Sequence, residues 1–60
     1  MAKYIIIEVD GPYRWPISAV TGKADPYTPP RTWNTRKEAE EWIRRRSYKG
    51  MSWHYEIKEA

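Results

Sequence analysis

Apolar positions recur along this chain in two rhythms, every second residue and every third or fourth. In KYIIIEV, Lys3 to Val9, β-branched and aromatic residues crowd a run too short for a helix, which predicts a strand. Ile5, Ile7 and Val9 share one face and Tyr4, Ile6 and Glu8 the other. Apolar residues on both faces place this strand at the centre of a sheet. Asp10-Gly11 is a favoured hairpin dipeptide because glycine accepts positive φ. Pro12 beside it allows a longer loop and another register. YRWPISAV, Tyr13 to Val20, then sets Tyr13, Trp15, Ile17 and Ala19 on one side. Pro16 has no amide hydrogen, so this second strand belongs at a sheet edge.

The helical rhythm comes later. Thr35-Arg36-Lys37-Glu38 has the form of a capping box, in which hydroxyl and carboxylate satisfy each other's free amides. Ala39, Trp42 and Ile43 then give the i, i+3, i+4 stripe of a helix facing a core. With Gly50 suited to the left-handed position past a helix end, a helix is expected from about Arg36 to Tyr48. SWHYEIKE closes the chain with Trp53, Tyr55 and Ile57 inward and His54, Glu56 and Lys58 outward, a half-buried strand.

The order is ββαβ. The second strand runs antiparallel to the first, and a right-handed crossover sets the third parallel to the second on the first strand's free side. The expectation is an α+β two-layer domain: a mainly antiparallel three-stranded sheet of order 2-1-3, with the helix on one face. The core is expected between Ala39, Trp42 and Ile43 and the Ile5/Ile7/Val9 face, with Trp42 against Trp53 or Tyr55. Between the second strand and the helix, TGKADPYTPPRT (residues 21–32) reads as an ordered or polyproline-like loop.

Composition changes this picture in one respect. The chain has 60 residues, room for one domain, and a domain this short buries only ~60% of the surface of its unfolded form. It has no cysteine, which removes disulfides and thiolate chemistry, and a single histidine, which makes a zinc cluster implausible. What remains is large side chains or self-association. Four Trp and five Tyr with no Phe supply the first and favour rings with one polar edge in water or at an interface. No apolar stretch approaches a membrane span or a signal peptide, so the cytoplasm is the expected location.

The net charge of +3 alone does not argue for nucleic acid. Arg44-Arg45-Arg46 is the densest basic run. Glu40 lies one turn before Arg44 and Glu41 one turn before Arg45, in the order that favours pairing and suits the helix dipole. Arg46 falls on the apolar side, where its stem can cover the core. The preferred reading is a solvated, internally paired helix end. The sharper one joins Arg44 and Arg45 to Tyr48, Lys49 and His54 as a basic patch with an aromatic, able to hold phosphate and stack bases. Pro26, Pro29 and Arg31 meet the minimal proline-rich ligand pattern, although a rigid loop packing Tyr27 and Trp33 over the sheet explains them more simply. No nucleophile stands beside a base and no glycine-rich phosphate loop is present. Neither an enzyme nor a cofactor or small-molecule substrate is expected.

RTWNTRKEAEEWI followed by WHYEI resembles the small uncharacterised proteins of accessory regions in tailed-phage genomes, with a T-x-x-E-A capped helix and a closing W-x-Y-x-I strand. The resemblance implies a small protein of the infected bacterial cytoplasm that in some cases binds and inhibits a host protein. It transfers no functional residue. The leading expectation is a non-catalytic binding protein with a host protein as partner. The alternatives are a weak nucleic-acid binder using the helix end and the open sheet face, and a structural homo-oligomer. Arg44, Arg45, Tyr48, Lys49, His54, Tyr27 and Arg31 are the candidate contact residues.

Overall fold

The computed structural model describes residues 2–47 and 50–60. Its elements are β1 (Tyr4–Asp10), β2 (Tyr13–Pro16), α1 (Arg36–Arg46) and β3 (His54–Glu59). They form a three-stranded sheet of order β2-β1-β3, with both outer strands antiparallel to the central one. The domain is therefore α+β with the expected topology. Among the described residues no helix is long and apolar enough to cross a membrane.

The hairpin closes through Gly11-Pro12, with Asp10 paired to Tyr13 and Gly11 at φ 60°. A positive-φ glycine followed by a residue of fixed negative φ is the combination of a type II′ turn, so Pro12 tightens the loop instead of lengthening it. Pro16 does lie on an edge strand, but β2 stops there and does not run on to Val20. The carbonyl of Pro16 accepts from the Asp25 amide, and Ile17 and Ser18 make isolated bridges to Ala24 and Pro30. The edge is thus handed over to the following loop.

That loop is ordered around Ser18. Its hydroxyl is fully buried, accepts from the amides of Val20 and Thr21, and is bonded to the Thr28 hydroxyl. Asp25 accepts from the Tyr27 amide, a local Asx-type turn. The loop ends at Trp33, whose backbone exchanges both hydrogen bonds with Tyr4 and so takes the place on β1 that β2 has vacated. Trp33 is buried as expected. Tyr27 is not packed on the sheet: it is 92% exposed.

The core cluster lies on the opposite face of β1 from the one expected, although Val9 on the expected face is buried too. Ile6 is fully buried and clusters with Ile17, Trp33 and Ala39, with Trp42, Ile43, Tyr55 and Ile57 packed around them. Register decides this. Ile6 faces Ile57 and Glu8 faces Tyr55, so the apolar side of β3 and the Ile6 side of β1 are one surface. Trp42 is half-buried, edge to face with Trp33 on one side and Tyr55 on the other, at 5.6 and 5.4 Å between ring centres. Tyr55 is the neighbour expected of it; the Ile5/Ile7/Val9 surface is not. That second surface carries Arg14, Glu56 and His54 across it, and the Arg14–Glu56 ion pair bridges β2 to β3 over β1.

Helix α1 starts as the sequence requires. Thr35 is extended and its hydroxyl accepts from the Glu38 amide at 3.1 Å. Only this half of the capping box forms among the described residues. The helix ends earlier than expected, with Ser47 extended at ψ 143° and its amide bonded to the Ile43 carbonyl. Serine competes for local backbone bonds and is a weak helix former, so a stop here is inexpensive. Gly50 has φ 94°, but lies in the connection and not at the helix cap.

Candidate functional site

The seven residues singled out from the sequence do not form one patch. Tyr48 and Lys49 lie outside the described residues. His54 stands on the sheet face away from the helix, 3.3 Å from Glu56, and so does not join the arginines. Alternation along β3 is the cause: Tyr55 turns to the core, which sends His54 to the far side. Tyr27 stands alone on the loop.

Arg31, Arg44 and Arg45 remain on the helix side. Arg44 pairs with Glu41 at 3.5 Å, and Glu40 is taken by Arg36, also at 3.5 Å. Acids and arginines of the helix do pair, but not as Glu40–Arg44 and Glu41–Arg45. All four side chains are well exposed, so these contacts contribute little. Arg31 lies over the Trp33 ring at 4.9 Å and Arg46 over Trp42 at 5.2 Å. Two of the basic residues thus act as lids on the tryptophan core, as the position of Arg46 led one to expect. Arg31 and Arg45 share a shallow groove with Glu38 and Glu41. Its interleaved signs give it no single-signed field.

A different region exposes large aromatic rings. On the helix side of the sheet, on the strand that helix α1 does not contact, Tyr13 and Trp15 of β2 stand edge to face at 5.4 Å and are 58% and 40% exposed. By register Glu8 lies between Trp15 and Tyr55 across the three strands. It forms the floor of a cleft of about 260 Å³ whose walls include Ile17, Lys23, Trp42, Arg46 and Tyr55. Among the described residues Glu8 is half-buried and has neither ion pair nor side-chain hydrogen bond. The cleft is therefore lined by aromatic rings, a carboxylate and two cations. Alternation put Tyr13 and Trp15 on the same side as Ile17, but helix α1 contacts β1 and β3 and not β2, which leaves these two rings uncovered.

On the opposite face Glu56 is held below the usual carboxylate range, first by its hydrogen bond from Arg14 and then by that with His54. The group is exposed and belongs to a surface clasp between β2 and β3. Among the described residues no cluster of His, Asp and Glu could hold a metal ion. Neither a protein-family model, nor a curated protein, nor a solved structure matches this chain.

Proposed function

We propose that this chain is a non-catalytic binding domain that takes a protein partner on the Tyr13–Trp15 pair and the cleft beside it. The observation that carries this reading is the exposure of two aromatic rings, edge to face, on a side of the sheet where Trp33 is buried and Trp42 and Tyr55 are half-buried. Tyrosine, tryptophan and arginine are the residue types that dominate binding energy at interfaces; Tyr13 and Trp15 form such a pair, and Tyr55 and Arg46 line the cleft that Glu8 shares. A domain of this size has few large rings to spare from its core, so leaving two in water needs a reason. The resemblance to phage accessory proteins makes a bacterial host protein in the cytoplasm the partner in view. A nucleic-acid role is the weaker reading, because Glu38 and Glu41 sit among the helix-side arginines and His54 is on the other face.

The test is affinity capture from a bacterial lysate, read by mass spectrometry, with wild type beside a Tyr13→Ser/Trp15→Ser double variant. The wild type is expected to retain a discrete protein that the double variant loses while staying folded by circular dichroism. Identical capture by both proteins would sink the proposal, as would no enrichment by either.

A further inference from the structure

We infer that the free edge of β3 pairs antiparallel with β3 of a second copy, centred on Ile57, to make a continuous six-stranded sheet. The argument starts from which way the backbone groups point. Tyr4 exchanges both its backbone hydrogen bonds with Trp33, and the Ile6 carbonyl accepts from Ile17, so even-numbered residues of β1 face the β2 side. Ile5, Ile7 and Val9 therefore bond to β3, at Lys58, Glu56 and His54. It follows that Tyr55, Ile57 and Glu59 turn their N–H and C=O groups outward. Among the described residues nothing pairs with them.

Charge then selects the occupant. With a two-fold axis at Ile57, Tyr55 bonds to Glu59 of the second copy and Ile57 to its own equivalent. Glu56 and Lys58 fall opposite Lys58 and Glu56 in the non-bonded pairs, where side chains approach most closely. A parallel, in-register pairing would set Glu56 against Glu56 and Lys58 against Lys58. A lysine on an edge strand ordinarily discourages pairing. Here it rejects the parallel orientation and finds a carboxylate in the antiparallel one. Glu56 is already held by Arg14 and His54 on its inner side, so Lys58 of the second copy completes its surroundings.

Helix α1 packs on β1 and β3 from one face of the sheet and leaves the backbone edge of β3 open to this approach. Half-buried Ile57 gains its own equivalent as cover. The Tyr13–Trp15 surface lies on the other edge of the sheet and stays free.

Sedimentation velocity of the full chain over a concentration series tests the inference. The wild type is expected to convert from monomer to dimer as concentration rises. Lys58→Glu and Glu56→Lys each create like charges across the axis and should weaken the dimer about tenfold or more. An equimolar mixture of these two variants restores both opposite-charge pairs and should dimerise more tightly than either alone. Glu59→Pro removes an outward amide that the monomer does not use, so it should block the dimer with the far-ultraviolet circular dichroism unchanged. A wild type that stays monomeric to millimolar concentration would overturn the inference. So would a dimer indifferent to these variants, or a mixture no more dimeric than its components.

Discussion

Trp33 and Trp15 stand on the same side of the same sheet, each placed opposite a residue of β1, yet one is 6% exposed and the other 40%. Trp33, opposite Tyr4, meets the helix: Trp42 packs on it edge to face and Arg31 lies over it. Among the described residues Trp15, opposite Glu8, meets only Tyr13 in such a contact. The difference is one of cover, not of residue type or strand position. The helix spans the end of the sheet where Trp33 enters and leaves the hairpin end bare. One end of this face is thus a core and the other a surface made of core-type residues.

The contrast can be broken most sharply at Trp42, which joins the two ends by touching both Trp33 and Tyr55. Trp42→Ala should cost about 3–5 kcal/mol and unfold most of the protein, as read by urea denaturation. A variant that melts like the wild type would mean that the helix does not close this end. Next in size is Ser18→Ala, which leaves the Val20 and Thr21 amides without their acceptor. The expected loss is about 1–3 kcal/mol, with faster amide exchange confined at first to the loop that delivers Trp33. Thr35→Ala removes the cap of the covering helix and should lose about 1 kcal/mol in the same assay.

The smallest effect lies on the other face. Glu56 titrates below its unfolded value, so the Arg14–Glu56 clasp stabilises the fold above the unfolded pKa and is lost as pH falls through the folded one. In Arg14→Gln, carbon-detected NMR should show Glu56 titrating nearer the usual carboxylate range, with less acid sensitivity in the melt. An unmoved titration would show that Arg14 is not the main cause.

The helix start, the alternation of β3 and the sheet order were legible in the sequence because each rests on local rules: a capping threonine, a period of two and a handed crossover. The core face of β1 was not. Ile5, Ile7 and Val9 outnumber Ile6 on their face, and only the register against Ile57 and Tyr55, a non-local fact, picks the smaller set. The outcome for Ser18 was hidden likewise, since its donors come from Val20, Thr21 and Thr28 after the loop has folded back. Of the candidate contact residues, Arg31, Arg44 and Arg45 do share the helix side, whereas His54 is separated by the pleat. The Tyr13–Trp15 surface was concealed by reading the second strand through Pro16 to Val20. The helix packs on β1 and β3 and not on β2, which leaves those rings uncovered.

The central claim is that the hairpin end of this face is free surface while the loop end is core. Urea denaturation of Trp33→Ala and Trp15→Ala in parallel tests it directly. Trp33→Ala should lose about 3–5 kcal/mol by emptying the core. Trp15→Ala should lose about 1 kcal/mol or less, as a surface ring does. Equal losses would contradict the account, because they would make Trp15 a structural residue and leave no bare aromatic surface for a partner.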